Sequence, residues 1–181
     1  MKARFLLVLS AVPMSICANA QDSGRIQVFG GYSLVDYSVF QRYSGPTTFY
    51  KFNGWDASFM GRVAPHLGLE ADFGGGFSGS YGTTGTSAIY SYMGGPRVFV
   101  DSGKARYYAH ALFGGMTFTS PGAISSTSLA VAVGGGADYW FSRHIGVQVL
   151  QADYIHNNNN VLGPSHADFR ISTGVVFRFG H

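Results

Sequence analysis

The ten residues HLGLEADFGG (66–75) decide how this chain folds. Leu67, Leu69, Ala71 and Phe73 fall on one parity, and Gly68, Glu70 and Asp72 fall on the other. A period of two puts the two sets on opposite faces of a β-strand. One face is apolar and the other carries two acids, so the fold turns on which face meets water.

The same alternation recurs along the chain. RIQVFGGYSLV (25–35) places Ile26, Val28, Tyr32 and Leu34 on one face. NGWDASFMGRV (53–63) sets Trp55, Ala57, Phe59 and Val63 against Asp56, Ser58 and Arg62. AIYSYMGGPRVFV (88–100) sets Tyr90, Tyr92, Val98 and Val100 against Ser91, Met93 and Arg97. SLAVAVGGGADYW (128–140) sets Leu129, Val131, Val133, Ala137 and Tyr139 against Ala130, Ala132 and Asp138. DFRISTGVVFRF (168–179) sets Phe169, Ile171, Val175, Phe177 and Phe179 against Arg170, Ser172 and Arg178. YYAHALFGGMTF (107–118) is apolar on both faces, so its orientation is open. IGVQVLQADY (145–154) alternates up to Val149 and then slips phase near Leu150-Gln151, as a β-bulge causes. These eight segments read as strands, and no helix pattern follows residue 20.

The connections alternate too. Segments 36–51, 76–87, 119–127 and 155–167 are long, and 64–66, 101–105 and 141–144 are short. In an up-and-down sheet all long loops then share one end, and the short turns share the other with both termini. Glycines at Gly30-Gly31, Gly54, Gly74-Gly75, Gly94-Gly95, Gly114-Gly115, Gly134-Gly135 and Gly174 recur at a period of about 20 residues, one strand and one connection per unit.

Residues 1–20 read as a signal peptide. Lys2 and Arg4 precede an apolar run from Phe5 to Ile16, and Ala18-Asn19-Ala20 is a cleavage pattern. Cys17 is the one cysteine and falls within that segment, so disulfide and thiol chemistry drop out of residues 21–181. Removing Lys2 and Arg4 lowers the net charge of +3 by two. No basic cluster is left to suggest nucleic-acid binding. Charged residues make up 12% of the chain, roughly half the share typical of a soluble domain.

Strands apolar on one face can build a soluble sandwich, a lipocalin-like barrel or a transmembrane barrel. A soluble fold hides the apolar face and coats the other with Lys and Glu. Here Lys51 and Lys104 are the only lysines after residue 20, and both lie in or beside connections. The polar faces carry Gly, Ser and Ala with a few ions, which suits a narrow enclosed lumen. The expected fold is therefore all-β, an eight-stranded antiparallel up-and-down transmembrane β-barrel spanning residues 21–181 with no appended domain. Its lumen is expected to hold Asp56, Arg62, Glu70, Asp72, Arg97, Asp138, Arg170 and Arg178, with Asp153 joining if the bulge shifts the phase. Charges in such a lumen must be paired, and the planar Arg fork suits carboxylates. Trp55, Phe73, Tyr90, Tyr139, Trp140, Tyr154, Phe177 and Phe179 lie near strand ends, where an interfacial aromatic girdle belongs.

The leader, the eight alternating strands, the four long loops and the final strand FRISTGVVFRFG (169–180) resemble the small OmpA/OmpX-type outer-membrane β-barrels of Gram-negative bacteria. YAHALFGG (108–115) and GGGADYWFSRHIGVQ (134–148) are similar to stretches of porin-family-like barrel proteins. The resemblance implies an outer-membrane location with periplasmic termini and a monomeric state. It implies as partners outer-membrane lipids, lipopolysaccharide and the barrel-insertion machinery.

Chemistry is scarce. His110 reads as a satisfied interior histidine. His156 and His166 flank an Asn-rich loop near Asp153, Ser165 and Asp168, but neither a triad nor a metal site is specified by that spacing. No cofactor is expected. The expected role is structural or surface-interactive, with a side-chain-filled, non-conducting lumen. Tyr37, Phe40, Tyr43, Phe49 and Tyr50 in the first long loop are the candidates for contact with a surface ligand. The alternatives are a narrow pore and a lipid-modifying enzyme of the kind known among small outer-membrane barrels.

Overall fold

The structure, a computed structural model, describes residues 26–39, 48–79, 86–119, 125–157 and 166–180. Eight strands follow in order: β1 (Ile26–Val39), β2 (Thr48–Ala64), β3 (Leu67–Gly79), β4 (Thr86–Ser102), β5 (Ala105–Thr119), β6 (Ser126–Trp140), β7 (Ile145–Asn157) and β8 (His166–Phe179). Each pairs antiparallel with the next, and β1 pairs with β8, so the sheet closes on itself. Closure leaves no unpaired strand edge, the condition for crossing a bilayer with strands.

The orientation is read directly from β3. Leu69 and Phe73 are 51% and 50% exposed on the outer wall, while Glu70 and Asp72 are 4% and 0% exposed inside. The other strands follow: Trp55, Phe59, Val98, Val133, Phe169 and Phe177 all face out. In water such a wall would be a continuous apolar patch far beyond what a soluble monomer tolerates.

Three irregularities adjust the barrel, one of them a register shift of β2 against β3 between Arg62 and Ala64. On β7, Val149 and Leu150 are both exposed, and the pairing with β8 jumps from Gln148 to Gln151. This is the bulge expected there, and it returns Gln151 and Asp153 to the lumen. On β4, Gly95 and Pro96 have no partner in the ladder with β5. Proline lacks the N–H that such a rung needs.

The open orientation of β5 is settled by pairing. Arg106 lies opposite Asp101 and His110 opposite Arg97, so Arg106, Tyr108, His110, Leu112 and Met116 turn inward. Tyr107 and Phe113 turn outward. Glycines on the outer wall make room for rings laid flat along it. A side chain at Gly75 would strike the Trp55 indole, and one at Gly115 the Tyr92 ring.

The lumen is layered. Toward the long-loop end, Val35, Phe52, Ile89, Met93, Leu112, Met116, Ala130, Ala132 and Ile155 pack into an apolar plug. A belt of ionised side chains crosses the middle. Nearer the short turns lie Phe29, Trp140 and Val176 in one apolar cluster and Met60, Phe99 and Tyr108 in another. The inner faces, read as Gly, Ser and Ala with a few ions, thus also carry large apolar residues that close the lumen above and below the ions.

The strands outrun the apolar alternation. β1 continues to Val39 and β2 begins at Thr48, with Tyr37 opposite Tyr50 and Ser38 opposite Phe49. Tyr37, Phe49 and Tyr50 thus belong to paired strand rather than to the first long connection, because aromatic and β-branched residues favour continued pairing. Phe40 and Tyr43 lie outside the described residues.

Candidate functional site: the charged lumen

The ionic belt draws on seven of the eight strands. Arg170 on β8 is its centre. Its Nη1 donates to Asp72 Oδ1 at 2.8 Å and its Nη2 to Asp72 Oδ2 at 3.2 Å, a two-pronged grip across the lumen. Its Nε and Nη2 reach Asp153 Oδ2 at 2.9 and 2.7 Å. Asp56 Oδ1 stands 3.5 Å from Nη1, and the other Asp56 oxygen accepts from the Ser172 hydroxyl at 2.6 Å. One guanidinium thus serves three carboxylates, using the fork geometry a lysine lacks.

Arg97 on β4 is the second centre. It donates to Glu70 at 3.0 Å and to Asp138 at 3.4 Å, and its guanidinium lies 3.4 Å above the Tyr108 ring. His110 joins the two halves. Its Nδ1 is 2.8 Å from Glu70 and its Nε2 2.8 Å from Asp153. Carboxylate oxygens only accept, so two such bonds require an imidazolium or a proton on one of the acids. The trio holds one proton beyond a neutral ring and two carboxylates.

Neutral groups extend the chain. Gln151 donates to Asp153 and accepts from the Tyr108 hydroxyl, both at 2.8 Å. Gln27 donates to Asp138 at 2.9 Å and accepts from Arg106 at 3.0 Å. Arg106 then grips Asp101 with bonds of 2.6 and 2.9 Å. The hydrogen bonds form one continuous path from Asp101, beside a short turn, to Asp72 in mid-barrel, and the Arg170–Asp56 ion pair at 3.5 Å adds Asp56 to its end.

Of the eight residues expected in the lumen, Asp56, Glu70, Asp72, Arg97, Asp138 and Arg170 meet in this belt. Arg62 and Arg178 stand apart from it. Arg62 folds back onto the carbonyls of Ala64 (3.2 Å) and Pro65, and lies 5.4 Å from the Phe99 ring. Arg178 stacks 3.7 Å over Trp140. Trp140 accordingly points into the lumen, not into an outer girdle. The near-balance of charge anticipated from the strands does not hold in the belt. Asp56, Glu70, Asp72, Asp138 and Asp153 face Arg97, Arg170 and the proton at His110.

His110, read from the sequence as a satisfied interior histidine, completes the site with Arg106 and Gln27, which alternation alone did not pick out. The signal was present: Arg106, Tyr108 and His110 share one parity, and polar groups on one parity of an otherwise apolar strand mark its inner face. The belt fills the lumen. A cavity of about 10 Å³ lies beside it, lined in part by Ser33, Ser91, Gly74 and Arg170. That is room for about one water molecule.

Among the described residues, the acids near the candidate histidines are already engaged. Asp153 is committed to His110, Gln151 and Arg170, and Asp168 is buried and bonded to Asn157 at 2.7 Å. His156 projects outward from the same strand, away from Asp153, and Ser165 lies outside the described residues. Among the described residues no group of His, Cys, Asp and Glu is arranged to hold a metal ion.

No family model matches the chain, and neither does any curated protein sequence. Solved structures do. Neisserial surface protein A matches with a TM-score of 0.67 at 17% identity, covering 86% of this chain and 99% of its own. Ail, the attachment invasion locus protein of Yersinia pestis, matches at 0.57 and 17% identity with the same coverage. The N-terminal β-barrel domain of Pseudomonas aeruginosa OprF matches at 0.53 and 13% identity, covering 86% of this chain and 98% of its own. Closed topology, apolar outer wall and charged lumen agree with these matches: the chain has the fold of the small eight-stranded outer-membrane β-barrels.

Proposed function

We propose that this protein is an outer-membrane β-barrel with a structural or surface-interaction role and a lumen that does not conduct. Residues 1–20 act as the export signal, residues 21–181 form the barrel, and the termini lie in the periplasm. The observation that carries this reading is the filled lumen. The apolar plug and the interlocked ions leave no continuous path, as expected where eight strands enclose little more than their own side chains. Surface interaction is supported by the fold it shares with Ail, a structure of which is in complex with the heparin analogue sucrose octasulfate. In this reading the long connections are the contact surface, with Tyr37, Phe40, Tyr43, Phe49 and Tyr50 in or beside the first. Lipopolysaccharide surrounds the outer half of the wall.

The test is to purify the chain from membranes, measure its heat-shifted mobility on gels and record from planar bilayers. A detergent-dependent, heat-modifiable protein with silent recordings is expected. Discrete conductance steps would replace this reading with the narrow pore, and a stable detergent-free monomer would remove the membrane assignment.

A further inference from the structure

The two ends of the barrel differ in charge. Each short turn carries an exposed base: His66 between β2 and β3, Lys104 between β4 and β5, and Arg143 with His144 between β6 and β7. Arg62 lies just inside the same rim. The acid at this rim among the described residues is Asp101, and Arg106 already grips it through both carboxylate oxygens. At the opposite end Lys51 stands opposite Asp36 in register on β1. Among the described residues, Lys104 and Arg143 are therefore the exposed permanent cations of the short-turn end.

Position decides what this charge can meet. The turns are short, so Lys104 and Arg143 cannot reach far from the wall that bears them. Val100, Tyr107, Phe141 and Ile145, all exposed on that wall, lie within four residues of these two bases. Phe141 and Tyr139 pack edge to face with centroids 5.4 Å apart directly beside Arg143. Aromatic rings settle at the headgroup level of a bilayer. Bases one to three residues further lie where lipid phosphates are, within a Debye length of their charge.

We infer that the short-turn rim is a docking collar for anionic phospholipid, with Lys104 and Arg143 pairing with headgroup phosphates while Phe141 and Tyr139 seat the adjoining acyl boundary. The inference rests on the membrane reading above. It adds that the protein selects the lipid of the leaflet facing its short turns, not merely that it lies in a bilayer.

The test uses the full mature chain folded in detergent, with phosphatidylglycerol or phosphatidylcholine added and retained lipid counted by native mass spectrometry. Wild type is expected to retain phosphatidylglycerol with roughly tenfold preference, falling as salt rises. The K104Q/R143Q double variant is expected to lose that preference, with heat-shifted mobility intact as evidence of folding. K51Q at the other end is expected to keep it. Three results each overturn the collar: equal retention of the two lipids by wild type, a double variant indistinguishable from wild type, and displacement by inorganic phosphate at equal concentration, which would make any phosphate sufficient. A chain that fails to bind detergent refutes the membrane reading instead, so the two failures are told apart.

Discussion

Replacing Arg170 by Ala removes the one cation shared by Asp72, Asp153 and Asp56. Asp153 retains His110 and Gln151, and Asp56 retains Ser172, but Asp72 is left at 0% exposure without its two-pronged partner. Removing one member of a buried ion pair costs about 3–5 kcal/mol, because the other charge remains desolvated. Here several charges remain, so the upper end, about 5 kcal/mol, is expected. That is a third or more of a typical domain's stability of roughly 5–15 kcal/mol. Two companions separate charge from geometry. Arg170→Lys keeps the charge but loses the fork, and a cost of about 2 kcal/mol is expected. Asp72→Asn combined with Arg170→Ala removes the most exposed consequence, so the pair is expected to cost less than the sum of the singles by about 1–3 kcal/mol. Urea titration in micelles reads all five proteins (wild type, Arg170→Ala, Arg170→Lys, Asp72→Asn and the double variant), by heat-shifted mobility and by fluorescence of Trp55 and Trp140. If Arg170→Ala shifts stability by less than about 0.5 kcal/mol, or if Asp72→Asn simply adds to it, the shared-cation reasoning is wrong.

Two other perturbations address the wall and the plug. Leu69→Arg puts a charge on the lipid face and is expected to cost about 2–4 kcal/mol if Leu69 lies near the bilayer midplane, read as loss of insertion into vesicles; unimpaired insertion would contradict the outward placement of β3. Leu112→Ala removes a fully buried side chain from the plug and is expected to cost about 2–5 kcal/mol in the same urea titration while planar-bilayer recordings stay silent, because the ionic belt still closes the lumen. Conductance in that variant would show the plug to be the sole barrier.

The wall was legible in the sequence because each outward residue alternates with something small or polar. Leu69 against Glu70 and Val98 against Arg97 leave one assignment once lysine is missing from the polar parity. The bulge was legible for the same reason, since Val149 and Leu150 break the count before Gln151. β5 was left open because Leu112 and Phe113 are equally apolar; the weaker signal of Arg106, Tyr108 and His110 on one parity agrees with the rungs from Arg97 to His110 and from Asp101 to Arg106 that set its phase. The plug was legible only in part. Parity set Met93, Ala130 and Ala132 on the inner face, but Leu112 and Met116 come from a strand apolar on both faces, so the period-two count did not place them. The membership of the belt was read from strand parity, which places Arg62 and Arg178 on the inner face but cannot tell that they sit a layer nearer the short turns.

Arg170 and Asp72 lie 98 residues apart, on the last strand and the third. Their clasp therefore has no counterpart in any isolated hairpin and comes into being only when β8 docks against β1. Without that closure Asp56 on β2 and Asp72 on β3 lack their cation, whereas Glu70 and Asp138 have Arg97 on β4. The final strand is then more than a seam. It delivers the counter-ion that converts a wet, mutually repelling trough into a dry cylinder, so the molecule is either unlatched throughout or latched throughout, with little stable ground between the two.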